Sequence, residues 1–261
     1  MKVLFIGDIV GKLGRTIVEE FLYKIINRYN VDVCLANCEN AAAGFGVTPR
    51  IAHQLFNCGI HILTSGNHIW DRKEIIDFLC HEKRLLRPAN YPSGAPGYGS
   101  LVWETPSGQK IGVINLCGRV FIESLDCPFK VADRELSSIK SITNIVLVDM
   151  HAEATSEKIA MGWYLDGRVS AVIGTHTHVQ TADERILPRG TAFITDTGMT
   201  GPVDSIIGLK KELVIQKFLT KVPVKFEVAM MGSSQLNAVV IDIDQKTGCA
   251  KGIVRLQMTL P

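Results

Sequence analysis

The chain has 261 residues, 46% of them hydrophobic and 21% charged, and a formal net charge of +2. This is the composition of an ordinary globular protein with one large domain or two small ones. So small a charge excess excludes the broad basic field of a non-specific nucleic-acid binder, so an anionic substrate has to be held by local groups.

No stretch approaches the length of ~20 apolar residues that crosses a bilayer, and the run Val3 to Ile6 is too short for the core of a signal peptide. No Pro-, Gly- or Ser-rich linker divides the sequence, which predicts one domain over residues 1–261. The seven cysteines (Cys34, Cys38, Cys58, Cys80, Cys117, Cys127 and Cys249) are odd in number and contain no Cys-x-x-Cys pair. They predict reduced, mostly buried thiols in a cytoplasmic protein, not a disulfide framework or a thiolate zinc site.

Residues 2 to 7 are expected to form a strand that exits at Asp8, and Gly11 to Asn30 carry Ile17, Val18, Phe21, Leu22, Ile25 and Ile26 at helical spacing. Lys12 directly follows the first glycine of Gly11 to Gly14, so the Walker spacing is absent and a P-loop is excluded. Val31 to Ala36 reads as the second strand and runs into Asn37-Cys38-Glu39-Asn40, whose asparagines also suit a turn. The small residues of Ala41 to Gly46 permit close approach of a ligand. Thr48-Pro49 then supplies an N-cap and first position for a helix to about Cys58. A third strand, Ile60 to Thr64, leads into Ser65-Gly66-Asn67-His68, with a helix from Asp71 to Cys80 after it. On an extended backbone Asn67 and His68 point to opposite sides and do different jobs. The bland alternative for His68 is a half-buried, hydrogen-bonded histidine, but its place at a strand end beside Asn67 favours chemistry.

Arg87 to Gly99 is a long irregular connection, a kind usually functional or mobile, and Leu101 to Glu104 with Lys110 to Leu116 flank Pro106-Ser107-Gly108 as a hairpin. Val131 to Lys140 reads as helix. Ile145 to Val148 reads as a strand carrying Asp149, Met150 and His151 at its end, and Glu153 to Leu165 as a helix capped by Thr155 or Ser156. The apolar run Val169 to Ile173 ends in Gly174-Thr175-His176-Thr177-His178, where two histidines two apart on an extended segment converge on one point. Thr191 to Thr195 is a strand that leads into Asp196 to Pro202, a tight turn or a substrate lip. Leu209 to Leu219 is helical, and Phe226 to Met230, Gln235 to Ile243 and Ile253 to Met258 are expected as strands of an antiparallel second sheet. His53, His61 and His81 lie outside the strand-end loops and are expected to be structural or on the surface.

Ligand-type residues thus collect at the ends of successive strands, where open α/β sheets place their active sites. Two carboxylates, at least one amide oxygen and three imidazoles exceed the needs of one catalytic metal and suit two, which clamp a phosphoryl group and generate hydroxide at neutral pH. Mixed oxygen and nitrogen donors without thiolate leave manganese, iron and zinc open.

The succession Gly7-Asp8, Gly66-Asn67-His68, His151 and Gly174-Thr175-His176-Thr177-His178 resembles the calcineurin-like metallophosphoesterases. That family implies an α/β fold, a four-layer α-β-β-α sandwich of two packed mixed sheets flanked by helices. The sequence departs from the broad family at Val10, where a histidine is usual, and at Asn37-Cys38-Glu39-Asn40, where the bridging aspartate motif is usual. Both departures are shared with the YmdB-like bacterial phosphodiesterases, which the chain resembles from end to end, including Asn90-Tyr91-Pro92, His151 to Lys158 and Gly198-Met199-Thr200-Gly201. The resemblance implies one metal held by Asp8, Glu39, Asn40 and His178, and a second by Glu39, Asn67, His151 and His176, with Glu39 as the bridge and His68 as proton donor. It further implies iron or manganese as two divalent or mixed-valence ions, hydrolysis of phosphodiesters including 2',3'- or 3',5'-cyclic nucleotides by a hydroxide between the metals, and a homo-oligomer. With Val10 in place of histidine the first site is richer in oxygen, which favours iron or manganese over zinc. A binuclear ester or amide hydrolase is the nearest rival. A metal-containing protein that senses a nucleotide or an RNA partner with weak turnover is a rival of another class.

Overall fold

The computed structural model describes residues 1–260. The first half contains β1 (Lys2–Ile6), β2 (Asp8–Ile9), α1 (Gly11–Tyr29), β3 (Val33–Asn37), α2 (Pro49–Asn57), β4 (Ile62–Thr64), a 3-10 turn at Asn67–Trp70 and α3 (Ile75–His81). There follow β5 (Ser100–Glu104), β6 (Lys110–Cys117), α4 (Pro128–Ile139), β7 (Val146–His151), α5 (Thr155–Leu165) and β8 (Ala171–Thr175). The chain then forms β9 (Arg185–Ile186), β10 (Ala192–Ile194), β11 (Met199–Pro202), α6 (Lys211–Thr220), β12 (Ser234–Ile243) and β13 (Ala250–Leu260).

Two mixed sheets result. In the first, the order is β2-β11-β12-β1-β3-β4, with β13 also paired to β12; β1, β3 and β4 run parallel, and β12 is antiparallel to β1. The second has the order β5-β6-β7-β8-β10-β9, parallel from β6 through β10 and antiparallel at both edges. Period-two alternation sorts each strand between two cores. On β1, Leu4 and Ile6 pack with Ile17, Leu22 and Leu55 of the helices, while Val3 and Phe5 join Leu147, Ile173 and Ile194 between the sheets. On β7, Leu147 faces that middle core, while Val146, Val148 and Met150 pack with Leu136 and Met161 of α4 and α5. Three cores between four layers make the α-β-β-α sandwich. They also bring the exits of β1, β3, β4, β7 and β8 towards one another.

Thr48 caps α2 by accepting from the Ile51 amide, with Pro49 at the first position, as the local pattern predicts. Six local expectations are revised: His176 and His178 have φ of 98° and 66°, so their segment is not extended, and Met199–Pro202 forms β11 within the stretch expected as a turn or lip. Asn67 and His68 lie in the 3-10 turn, so strand alternation does not set their directions. α5 begins after Ala154, and neither Thr155 nor Ser156 makes a capping bond. Phe226 to Met230 forms no strand beyond the single bridge Leu209↔Val228. Its alternation serves an extended strap whose Val228 covers Gly11 and Gly44, where any added Cβ would meet Val228 at 3.0 and 2.2 Å. Finally, β12 and β13 are antiparallel as expected but enlarge the first sheet, because β12 pairs with β1 in full register.

The joint between β8 and β10 is tight at Gly174, where a Cβ would lie 1.7 Å from the buried Thr195 carbonyl oxygen. Gly174→Ala is therefore expected to destabilise the fold by about 3 kcal/mol, the scale of overpacking against atoms that cannot move aside. Urea denaturation measures it, and a loss under about 0.5 kcal/mol, the scatter of neutral surface changes, would contradict so close an approach.

Candidate metal centre

Every residue predicted from the sequence for the site stands at the convergence of these strand exits. Asp8 begins β2, and Glu39 and Asn40 follow β3. Asn67 and His68 open the 3-10 turn after β4, His151 ends β7, and His176 and His178 follow β8. Asp8, Glu39, Asn40 and His151 are buried; the other four are half-buried. Two groups of donors lie within 4.8 Å of one another, Glu39 with His151 and His176, and Asp8 with Glu39 and His178. They share Glu39.

Hydrogen bonds select the nitrogen that each imidazole offers. Thr175 donates its hydroxyl to Asp149 at 2.7 Å, so His151 Nδ1 donates to Thr175 Oγ1 at 2.9 Å and leaves Nε2 for the centre. That Nε2 lies 3.1 Å from Glu39 Oε1 and 2.9 Å from His176 Nδ1. His176 Nε2 meets Glu153 Oε2 at 3.0 Å, so its Nδ1 carries the free lone pair. His178 Nδ1 donates to the Ile207 carbonyl at 2.9 Å, which leaves its Nε2 unprotonated and 3.1 Å from Asn40 Nδ2. Asn40 also donates that nitrogen to Glu39 at 3.1 Å; a half-turn of the amide presents its oxygen instead.

These lone pairs and carboxylate oxygens face one another out of water and call for positive charge between them. Burial pushes Asp8 up to about 7 against the pull of His178 and His151. Burial also opposes ionisation of Glu39, but the charge and hydrogen bond of His151 outweigh it and hold the carboxyl well below the usual range. His151, although burial disfavours its cation, is raised to about 9 by Glu39, then Asp8 and Asp149. His176 falls to about 3, through burial and then His151. Asp8 Oδ1 and Asn67 Oδ1 are buried with no hydrogen-bond partner, and an acceptor left so is costly unless a cation takes it. Gly66 leaves the room. A Cβ there would sit 2.2 Å from His151 Nε2 and 2.3 Å from Glu39 Oε2. The donor set, the orphaned oxygens and the space at Gly66 fit divalent metal ions.

A layer behind the ligands escaped notice in the sequence. Asp149 accepts from Thr64 at 2.5 Å, Thr175 at 2.7 Å and Asn37 at 3.2 Å, and Asn37 Oδ1 in turn accepts from the Glu39 amide at 3.1 Å. Asn115 holds Ser65 through both its amide and its carbonyl, at 2.9 and 3.0 Å. Arg72 ties the carbonyls of Ala42 and Phe45 to the turn that bears His68. The one signal for Asp149 was an acid inside the buried pattern of β7, where an unpaired charge would not survive. Above the ligands lies a pocket of about 360 Å³ walled by Val10, Phe45, His68, Glu153, Ile207 and Leu209. His68 Nδ1 pairs with Asp71 Oδ2 at 2.9 Å, and Phe45 packs edge-on to its ring. His53, His61 and His81 lie elsewhere; His61 Nδ1 accepts from the Cys34 amide.

The sequence matches the family described as YmdB-like protein over residues 4–256. It is 51% identical to a 2',3'-cyclic-nucleotide 2'-phosphodiesterase of Bacillus subtilis (strain 168), over 98% of this chain and 96% of that protein. A hypothetical protein from Thermus thermophilus, solved by crystallography, superposes with a TM-score of 0.93 at 41% identity over 100% of both chains. A structure described as a novel phosphatase from Mycoplasma pneumoniae superposes with a TM-score of 0.93 at 36% identity, covering 99% of this chain and 93% of its own.

Because Glu39 belongs to both donor groups and Asp8 to one, Glu39→Gln is expected to lose both metals and Asp8→Asn mainly one. Metal content after dialysis checks this. Equal single-ion loss in the two variants would contradict a bridging Glu39.

Proposed function

The chain belongs to the YmdB-like protein family, and from that premise we propose that it is a binuclear-metal phosphodiesterase that opens nucleoside 2',3'-cyclic phosphates. The observation that carries the proposal is the pair of donor groups sharing Glu39 beneath a pocket with His68 on its wall. Asp8, Glu39, Asn40 and His178 would hold one ion and Glu39, Asn67, His151 and His176 the other; oxygen-rich donors without thiolate suit iron or manganese. When bound, the ions supply charge to the phosphoryl oxygens and lower the pKa of a water, so that hydroxide is present at neutral pH.

The rest falls to the chain. The buried carboxylates and oriented imidazoles hold fixed positions, so little reorganisation accompanies the reaction. Phe45, Ile207 and Leu209 present apolar surface to the nucleoside and exclude water from the phosphorus. As a bond forms between phosphorus and the attacking oxygen, the bond to the ribose 2'-oxygen breaks, and that alkoxide is a poor leaving group without a proton. Asp71 accepts from His68 Nδ1–H, so in the doubly protonated ring the proton free to pass to the 2'-oxygen is the one on Nε2. The product is the 3'-phosphomonoester.

His68→Ala is expected to keep both metals and lose about 10²- to 10⁴-fold in kcat on 2',3'-cyclic nucleotides, the usual contribution of a positioned acid. Nitrophenyl phosphodiesters, whose leaving group departs unprotonated, should suffer much less. Both substrates are assayed at matched metal occupancy, and an equal decline would remove His68 from the role of proton donor. In the same panel, ester hydrolysis without phosphodiester hydrolysis would overturn the phosphodiesterase.

A further inference from the structure

Lys158 is fully buried although it stands on the inward face of α5, in the row Lys158, Met161, Gly162 and Leu165. Its ammonium meets Asp196 Oδ2 at 2.7 Å, the Thr175 carbonyl at 3.2 Å and Thr177 Oγ1 at 3.4 Å. Asp196, also fully buried, accepts from the Thr177 amide at 3.1 Å and from its hydroxyl at 2.6 Å, and its other oxygen accepts from the Gly198 amide at 2.7 Å. Three of these six bonds converge on Thr177, the residue between the two histidines of the centre.

The backbone there gives the clamp its meaning. His176 has φ 98° and His178 φ 66°, left-handed values that a residue with a Cβ adopts only where its surroundings impose them. The Asp8 carboxylate accepts from the His176 amide at 3.2 Å, and the His178 carbonyl accepts from the Met199 amide at 3.1 Å, but neither holds Thr177. A buried lysine and aspartate are not needed for packing alone, since apolar residues of similar volume fill such space as well.

We propose that Lys158 and Asp196 are positioning residues for the metal centre: their buried pair, acting through Thr177, locks the strained backbone that aims His176 and His178 at shared ground. The proposal rests on those histidines being metal ligands. Neither Lys158 nor Asp196 is itself a ligand, and Thr177 transmits the pair's constraint by its hydroxyl and its amide.

The test uses the full-length, metal-free chain and Mn²⁺ alone, with affinity measured by calorimetry and folding by thermal denaturation before metal is added. Thr177→Val keeps the side-chain shape and the buried pair but removes the hydroxyl; it should stay folded, with some loss of thermal stability from the missing bond to Asp196, and bind Mn²⁺ roughly 10- to 100-fold more weakly, the usual effect of losing a partner behind a ligand. Thr177→Ser restores the hydroxyl and should bind far more tightly than Thr177→Val, close to wild type. Lys158→Met should lose both affinity and stability, because Asp196 is left buried without its partner. A structural pair alone would lower stability in Lys158→Met and leave Mn²⁺ affinity unmoved in Thr177→Val. Wild-type affinity in folded Thr177→Val, or equal loss in Thr177→Val and Thr177→Ser, overturns the clamp. Should Thr177→Val fail to fold, the Thr177→Ser and Lys158→Met affinities decide, and wild-type affinity in folded Lys158→Met overturns it. Absence of Mn²⁺ binding by the wild type would instead overturn the ligand assignment beneath it.

Discussion

Glu39 is a carboxylate held out of water, with three histidines and a second carboxylate turned towards it. Burying such a group uncompensated is among the costliest things a protein can do. Each of its neighbours is arranged to lower that cost: Asn37 receives the Glu39 backbone amide, Asn40 donates to its side chain and His151 lies at ion-pair distance. What remains is a demand for positive charge in two places at once, because Asp8 also faces His178 across the same carboxylate. The proposed pair of cations would answer that demand and would join the chemistry of the site to the stability of the fold.

The two-sheet architecture supplies what this arrangement needs. Glu39 and Asp8 come from the first sheet, His151 and His176 from the second, and the apolar core of Phe5, Leu35, Leu147 and Ile173 fixes the sheets against each other. The polar layer of Asn37, Thr64, Asp149 and Thr175 crosses between the same sheets directly beneath the ligands. Since every member is satisfied, that layer specifies one relative placement of the sheets, where an apolar layer would tolerate several. Asp149, raised to about 6 mainly by burial, is held by three donors, and one of them, Thr175, sets the tautomer of His151.

Backbone strain is concentrated at the ligand loop. The proposed ligand histidines His176 and His178 occupy unfavourable backbone conformations, and the buried Lys158–Asp196 pair imposes them. Ile207 and Leu209 also wall the pocket; Ile207 accepts from His178 Nδ1, and the chain beyond is anchored by the packing of Val228 on Gly11 and Gly44.

Much of this was legible in the sequence, because it depends on local periodicity. Alternating and continuous apolar runs located most of the strands, 3.6-residue spacing located α1 and α4, and Thr48-Pro49 marked the start of α2, since these patterns record which side of an element meets water. Ligand types at strand exits were equally visible, and the family resemblance assigned them to two ions. The Phe226 to Met230 segment misled because alternation also suits a lone strap, and Asn67-His68 misled because a short 3-10 turn leaves no periodic trace. Lys158 shares a helical row with Met161 and Leu165, but its partner Asp196 lies 38 positions away. The sequence by itself therefore determined most of the elements, their order and the kinds of donor at each strand end. Only the tertiary structure decided that the donors form two groups around Glu39, which nitrogen each histidine offers, and that Lys158 and Asp196 close on Thr177. Those facts rest on hydrogen bonds between residues as far apart as Asn37 and Asp149, 112 positions, and no local pattern encodes such a pairing.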